Sequence, residues 1–192
     1  MKILSTLIFI SMMVIPTGYV DAVVLNSKLD VTSKPVQNQV NYSTISVRDL
    51  FFYNRNTRIN ILSLSRSNFQ KLLGKPKRIQ KGYSEMDDDH TITYSYPDGE
   101  FVYYVKQNYF YIEVKGPGWA FGIREKNGAI NKFSPGNTLS KLKEEFPESY
   151  NNPVSSIYVN LAIKTPEGIV SDSPLTFEVD KSRNKIVRIY FD

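Results

Sequence analysis

The sequence contains no cysteine and only one histidine, His90. Without cysteine, the chain cannot form disulfides, thiolate metal sites, a cysteine nucleophile or the lipid attachment of a bacterial lipoprotein. A single histidine excludes zinc sites that are built on two or three histidines. Tryptophan is equally scarce, and we expect the one tryptophan, Trp119, in the core rather than as an exposed anchor. These absences lead us to predict no metal and no cofactor.

Sequence patterns for catalysis are also missing. His90 is accompanied by no Gly-x-Ser-x-Gly sequence, so a serine–histidine arrangement has no support. Glu113 and Glu178 fall on the same predicted sheet face, which keeps a hydrolase that uses carboxylates as an alternative. We predict no catalytic residues and a protein that is not an enzyme.

The charge and composition are those of an ordinary globular protein. The 192 residues include 24 Lys and Arg against 19 Asp and Glu, a net charge of +5. A mild charge of mixed sign argues against nucleic acid as a partner. The length suits one domain or two small units that share a core. Aromatic residues reach 13%, which favours sheet because flat side chains pack well on a pleated surface.

Residues 1–22 have the pattern of a secretory signal peptide. Lys2 precedes an apolar run at residues 3–15, and residues 20–22 suit a cleavage site. The alternative is a transmembrane anchor, but this run is shorter than the roughly 20 apolar residues that span a bilayer. We expect cleavage before Val23, no stable membrane anchor after cleavage, and a secreted or periplasmic protein.

Residues 23–58 form an N-terminal segment that is partly linker. Residues 26–44 are rich in Ser, Thr, Asn, Gln and Lys and include Pro35, a composition typical of an exposed linker. Residues 45–53 and 59–64 are more apolar, and we expect at least one of them to add a strand to the sheet.

The rest of the chain follows one plan twice, at residues 59–133 and 134–192. Each copy begins with a short helical segment, at residues 65–74 and 134–146, and ends in a hairpin. Neither helix is long enough to hold in water alone, so each must pack on a sheet. The predicted apolar stripes are Phe69, Leu72 and Leu73 in the first helix, and Leu139, Leu142 and Phe146 in the second.

The ends of the two helices have sequence signals of their own. Ser65 or Ser67 is predicted to cap the first helix, and Gly74 to end it. Ser134 is predicted to cap the second helix, with Pro135 at its first position, where the missing N–H costs nothing.

The strands alternate between apolar and polar side chains, which predicts antiparallel strands with one buried face. The alternating runs are residues 91–96, 101–105, 109–114, 157–163, 175–179 and 186–191. Ile157 and Val187 are among the predicted core positions. We therefore predict an α+β fold: two tandem α-β repeats forming a curved antiparallel sheet, with short helices packed on one face.

The other face of this sheet is predicted to be open. Its tyrosine and arginine side chains belong to the types that dominate interface energetics. Alternatively, strand tyrosines pack across strands merely to stabilise the sheet. The predicted partner-binding residues are Tyr104, Tyr109, Tyr111, Glu113, Tyr158, Arg188 and Tyr190.

Two charged stretches have both a functional and a structural interpretation. Residues 85–90, Glu-Met-Asp-Asp-Asp-His, could hold Ca²⁺, but consecutive ligands diverge and no glycine follows, so we favour a solvated loop. A basic stretch could meet phosphate or an acidic partner, but we favour a solvated helix end. This stretch consists of Lys71, Lys75, Lys77, Arg78 and Lys81.

The two helix-opening segments carry a resemblance. Residues 68–76, Asn-Phe-Gln-Lys-Leu-Leu-Gly-Lys-Pro, and residues 137–147, with the hairpin that ends each copy, resemble β-lactamase-inhibitor-protein-like secreted domains. The related small lipoproteins of the outer-membrane barrel-assembly machinery are similar. The resemblance covers residues 61–192 and implies a concave sheet that binds another protein, with helices on the convex side. The chain lacks the inhibitors' disulfides and the lipid-anchor cysteine, so only the architecture is carried over.

Together these observations favour a non-enzymatic protein-binding module of the inhibitor or immunity type. Its expected partner is another protein, bound on the open face of the sheet. The alternatives are a structural cell-envelope protein without a discrete ligand, or the hydrolase described above.

Overall fold

Two β-sheets and three short α-helices make up residues 42–192, the part of the chain that the structure, a computed structural model, describes. The predicted signal peptide and nearly all of the predicted linker lie outside the described residues. Within residues 42–192, none of the helices has the length and apolar character needed to cross a membrane. The helices are α1 (Phe69–Leu73), α2 (Leu139–Glu145) and α3 (Pro147–Asn151).

The strands follow the alternation of the sequence closely. They are β1 (Thr44–Ser46), β2 (Leu50–Asn54), β3 (Thr57–Asn60), β4 (Arg78–Ser84), β5 (Asp89–Tyr96), β6 (Gly99–Tyr104), β7 (Tyr109–Val114), β8 (Trp119–Arg124), β9 (Ile130–Phe133), β10 (Tyr158–Lys164), β11 (Leu175–Asp180) and β12 (Lys185–Phe191). Two 3-10 turns, Val47–Asp49 and Ile61–Ser63, flank β2 and β3.

The larger sheet has eight strands within residues 42–192, in the order β1-β10-β11-β12-β7-β6-β5-β4. β1 runs parallel to β10, and the other neighbouring pairs are antiparallel. In the middle of the sheet, β12 meets β7, with Ile189 opposite Val114 and Phe191 opposite Ile112. The predicted α+β class is confirmed, with more strand than helix.

The smaller sheet has the order β3-β2-β8-β9 and packs on the inner face of the larger sheet. Phe52 of β2 is fully buried and lies 5.7 Å from Phe121 of β8 between ring centroids. Phe121 in turn lies 5.8 Å from Phe191 of the larger sheet. The expectation that the apolar segment at residues 45–53 adds a strand is confirmed, although β2 joins the smaller sheet.

Trp119, at the start of β8, is part of the core. It is 2% exposed and meets Phe52 edge to face, with ring centroids 5.1 Å apart. The expectation of a core tryptophan is therefore confirmed.

Helix α1 is one turn and a half long and is held by its apolar residues. The ring of Phe69 stacks on that of Phe101 of β6, with the centroids 4.2 Å apart and 4° between the ring planes, and Leu73 is also buried. Gly74 ends the helix at φ 84°, a left-handed conformation that glycine adopts without strain. The predicted cap at Ser65 or Ser67 is wrong, because Asn68 occupies the cap position and its side chain accepts from the Ser65 N–H.

Helix α2 begins later than the sequence predicts. Ser134 and Pro135 belong to a turn, in which the Asn137 side chain accepts from the Ser134 N–H, and Thr138 holds the N-cap position. The predicted cap at Ser134 is therefore wrong, because the Asn137 side chain offers the backbone a local turn instead. Leu142, like Leu139, is buried as predicted.

The hairpin of β11 and β12 contains a register shift between Glu178 and Val179. As a result, Ile186 lies opposite Val179 and is buried, whereas Val187 is exposed. The prediction that Val187 faces the core is wrong, because Val187 is the extra residue at the register shift and has no paired residue on β11. The prediction for Ile157 is also wrong, since this residue precedes β10 and is exposed.

Candidate functional site

The outer face of the larger sheet carries all seven side chains that the sequence predicts for partner binding. Ile112 and Val114 are fully buried, so Tyr111 and Glu113, which alternate with them along β7, point to the opposite face. The strand pairing brings the others to this face: Tyr104 lies opposite Tyr109, Tyr190 opposite Glu113, and both Arg188 and Tyr158 opposite Glu178. We call this surface, formed by the outward residues of β10, β11, β12, β7 and β6, the open face.

Two stacked tyrosine pairs stiffen the open face. The rings of Tyr104 and Tyr109 are nearly parallel, 4.3 Å apart between centroids and 8° between planes. Across the junction of β7 and β12, the rings of Tyr111 and Tyr190 are 6.1 Å apart at 25°. Burial raises the pKa of both Tyr109 and Tyr111, and neighbouring acidic groups raise it further, so these phenols stay neutral in ordinary buffers.

Lys115 holds together two carboxylates that would otherwise repel. Glu100 and Glu113 lie directly opposite each other on β6 and β7, an arrangement that destabilises a sheet when it is not compensated. The Lys115 Nζ lies 3.3 Å from Glu100 and 3.0 Å from Glu113. Burial alone would lower the pKa of Lys115, but hydrogen bonds and charges from the two carboxylates outweigh it, so the pKa is raised.

Arg188 continues this ion-pair network toward β11. Its guanidinium lies 3.6 Å from a carboxylate oxygen of Glu113 and 3.9 Å from one of Glu178. The Tyr190 hydroxyl donates to Glu178 at 2.6 Å. Burial and this hydrogen bond raise the pKa of Tyr190 to about 12. The network fixes the direction of each of these polar side chains.

A shallow groove of about 340 Å³ opens in the part of the open face above β10, β11, β12 and β7. Its lining residues are Tyr111, Val154, Tyr158, Asn160, Pro174, Thr176, Tyr190 and Asp192, and we call it the tyrosine groove. All three tyrosines of the groove were predicted from the sequence to bind a partner. Asn160 and Thr176 could have been found from the alternation, since both lie on outward positions, whereas Val154 and Pro174 come from loops.

The Asn160 side chain has an unusual environment in this groove. Its Oδ1 atom is buried and has no hydrogen-bond partner among the residues that the structure describes. Buried polar atoms in folded proteins nearly always have a partner, because an unpaired one costs free energy. Asn160 is therefore the groove residue whose hydrogen bonding is least complete.

The acidic residues 85–90 form the turn between β4 and β5 and the first two residues of β5, and they are only partly solvated. Asp89 is 1% exposed, and its carboxylate accepts from the backbone N–H groups of Lys106, at 2.8 Å, and Gln107, at 2.9 Å. Burial would raise the pKa of Asp89, but these hydrogen bonds outweigh it and the pKa is lowered. In residues 42–192, no three Asp, Glu or His side chains are arranged to hold a metal ion. The interpretation as a solvated loop is therefore wrong for Asp89, which joins two neighbouring turns.

The basic stretch lies mostly on a sheet edge rather than at a helix end. Lys71 belongs to α1, but Arg78 and Lys81 belong to β4, the last strand of the larger sheet. Their side chains are exposed, as are those of Lys75 and Lys77 between α1 and β4. The interpretation as a helix end is correct for Lys71 alone.

Comparisons with known proteins identify no relative of this chain. The chain matches no protein-family model, no curated protein and no solved structure. The open face and the tyrosine groove therefore carry the functional argument.

Proposed function

We propose that this chain is a non-enzymatic protein-binding module that receives another protein on its open face. The observation that carries the proposal is a sheet face with stacked tyrosines, an ion-paired arginine and a groove between them. Tyrosine and arginine are the residues most often found at the energetic centre of protein interfaces.

The rigidity of the face supports binding over a merely structural role. Association costs free energy when side chains must be ordered, at roughly 0.5–1.5 kcal/mol for each long side chain. The Arg188 guanidinium is already directed by Glu113 and Glu178, and the ring of Tyr111 is already stacked on that of Tyr190. A partner would therefore bind a preorganised surface, and little binding free energy would be spent on ordering its side chains.

The wider proposal is a secreted or periplasmic protein built from two tandem α-β repeats that form a curved sheet. Its support is that helices precede each group of strands, α1 before β4 to β7, and α2 and α3 before β10 to β12. The last strands of the two groups, β7 and β12, then meet in the middle of the larger sheet. This arrangement agrees with the resemblance to inhibitor-like domains, in which a partner lies on a concave sheet.

The hydrolase alternative is less well supported by the same contacts. The Arg188 guanidinium lies between the carboxylates of Glu113 and Glu178, within 4 Å of both, and so occupies the space that a substrate or a water would need. A structural envelope protein without a discrete ligand is the remaining alternative, and a binding experiment separates it from the proposal.

The test is capture of a partner by the immobilised chain from an envelope extract of the source organism. The proposal expects one protein in stoichiometric amount. The double variant Tyr111→Ala/Arg188→Ala should lose it, because truncating an interface anchor costs about 2 kcal/mol or more, which is about 30-fold in affinity. The variant should still fold, since each site gives up cross-strand contacts of only about 0.2–1 kcal/mol.

The matched control is Ile169→Ala/Arg183→Ala, which also removes one large side chain and one ion-paired arginine. Both residues are well exposed and lie in loops outside the strands that form the open face, with Arg183 paired to Asp180 at 3.5 Å. This control should capture the partner at full strength. A face variant that folds and captures equally well would move the site to the loops, and one that unfolds would make Tyr111 and Arg188 core residues. An unaltered chain that captures nothing would favour the structural alternative.

A further inference from the structure

The tyrosine groove is lined by polar groups that can accept hydrogen bonds from a cationic side chain. Asp192 supplies a carboxylate, and Asn160 supplies the carbonyl oxygen that has no partner in the described part of the chain. Thr176 adds a hydroxyl. Among the residues that line the groove, none is basic. The lining therefore has negative charge and unused acceptors but no positive charge of its own.

The walls of the groove are aromatic. Tyr111, Tyr158 and Tyr190 line it, and the rings of Tyr111 and Tyr190 are inclined by only 25°. The face of an aromatic ring carries partial negative charge and attracts an ammonium or guanidinium group within about 6 Å. Burial raises the pKa of Tyr190 to about 12 and also raises that of Tyr111, so neither ring carries a full charge near neutral pH.

Asp192 lies at the rim, where the tyrosine groove meets a second cleft that contains Tyr109 and Phe110. Partial burial raises the pKa of Asp192, and the charge of Asp87 raises it further. None of the residues that line the groove supplies a positive charge to this carboxylate. An approaching cation would supply the missing compensation.

We propose that the tyrosine groove receives an arginine side chain of the partner protein, with the guanidinium against the tyrosine rings and its N–H groups on Asp192 and Asn160. This inference rests on the proposed function and names the chemistry of its anchor. Arginine suits the groove better than lysine, because the guanidinium is planar, stacks on rings and carries five donors in a fixed geometry. An anionic anchor would face the carboxylate and the negative faces of the rings.

The chain's own Arg188 does not fill this role. Its guanidinium is held by Glu113 and Glu178, and it is not among the residues that line the groove. The open face therefore contains one arginine that is already ion-paired, and beside it a groove whose hydrogen-bond acceptors are available to an arginine of the partner.

The experiment titrates the whole chain with N-acetyl-arginine amide and follows the tyrosine ring signals by NMR. The neutral analogue N-acetyl-citrulline amide has nearly the same shape, but a carbonyl oxygen replaces one nitrogen of the guanidinium, so it lacks the charge and two of the five N–H donors. The arginine probe should bind with a Kd on the order of 1 mM, and citrulline at least about tenfold more weakly, since one charged contact of about 1.4 kcal/mol is a factor of ten. Equal binding of the two probes would overturn the proposal.

Two variants locate the site. Asp192→Asn should weaken arginine binding about tenfold, whereas Asp172→Asn, which removes the same charge from an exposed neighbouring loop, should leave it unchanged. Tyr158→Leu keeps the apolar bulk but removes the ring face, and it should weaken arginine binding severalfold without changing the melting temperature much. Equal losses in the two aspartate variants, or no loss with Tyr158→Leu, would contradict the assignment.

The failure of this inference is distinct from failure of the proposed function. If the arginine probe does not bind but the chain still captures a partner through Tyr111 and Arg188, the cation assignment is wrong and the binding face stands. A third titration uses N-acetyl-lysine amide. If this probe binds as well as the arginine probe and the citrulline probe does not, the groove recognises positive charge alone and the choice of guanidinium is wrong.

Discussion

At the scale of single residues, the open face depends on hydrogen bonds that tie neighbouring strands together. The hydroxyl of Tyr190 on β12 donates to Glu178 on β11, and Arg188 links the same carboxylate to Glu113 on β7. Three strands thereby share one small set of polar groups. The same set stabilises the face and, under the proposed function, preorganises it for a partner, so individual residues can be tested for the two roles separately.

Replacing Tyr190 with phenylalanine removes one of these hydrogen bonds and keeps the ring. We expect the free energy of unfolding to fall by about 0.5–1.5 kcal/mol at neutral pH. Because the folded-state pKa of Tyr190 is about 12, above the ordinary value of 10.0, this contribution is complete below pH 10 and is lost as the pH rises toward 12. Denaturant unfolding of both proteins at several pH values measures the difference. A difference that persists unchanged through pH 12 would contradict this linkage.

Asp89→Asn tests a second single residue, the buried carboxylate that joins two turns. Asparagine keeps the size but loses the charge that strengthens the hydrogen bonds from Lys106 and Gln107, so the variant should melt at a lower temperature. The pKa of Asp89 is lowered, so its contribution is present above the unfolded pKa, and it is lost as the pH falls through the folded pKa. The melting difference should therefore shrink below about pH 4.

The control for this experiment is Asp172→Asn, because Asp172 is exposed and its removal changes the net charge equally. Its melting temperature should follow that of the unaltered chain at every pH. If both variants lose the same stability, the effect comes from net charge and the hydrogen bonds of Asp89 contribute little.

At the scale of elements, the short helices gain their stability from packing. Leu142 of α2 is fully buried, so Leu142→Ala should cost about 2–5 kcal/mol. Leu72 of α1 is only partly buried beside the core, and Leu72→Ala should cost less than about 2 kcal/mol. Denaturant unfolding of the two variants measures both losses in the free energy of unfolding. Losses of equal size would mean that the outer side of α1 also faces a core.

Alternation predicted the strands well because it reports directly which side chains are buried. Every predicted open-face residue lies on the outer face, including Arg188 and Tyr190, which follow the register shift in β12 and still alternate as predicted with the buried Ile189 and Phe191. Val187 was misplaced because the register shift beside Glu178 depends on the pairing with β11, which the alternation of β12 alone does not contain. Helix starts were misplaced for a similar reason, because Asn137 competes with Ser134 through a local turn.

The second sheet and the groove could not be predicted because they depend on contacts between distant segments. Residues 50–53 form a continuous apolar run, which fits a buried strand or a buried helix equally well. The tyrosine groove combines strand residues with Val154 and Pro174 from loops, whose positions follow only from the folded chain. The sequence therefore predicted most of the outward positions, and the structure alone shows where the outer face has a groove.

At the scale of the whole molecule, the proposed export route gives a prediction outside the described residues. The protein purified from its natural source should begin at or near Val23, because the apolar run at residues 3–15 is too short for an anchor. N-terminal sequencing of the native protein is the measurement. Recovery of the intact N-terminus from a membrane fraction would contradict cleavage.

The meeting of β7 and β12 in the middle of the larger sheet has a consequence for the order of folding. Each hairpin closes a short loop and can form early, whereas this junction joins residues from distant parts of the chain and closes a long one. The junction should therefore form late, after both hairpins exist. Tyr111 and Tyr190 lie on either side of it, so the groove between them is completed only at the end of folding. Partially folded chains would then lack the groove, so under the proposed function only fully folded molecules would bind a partner.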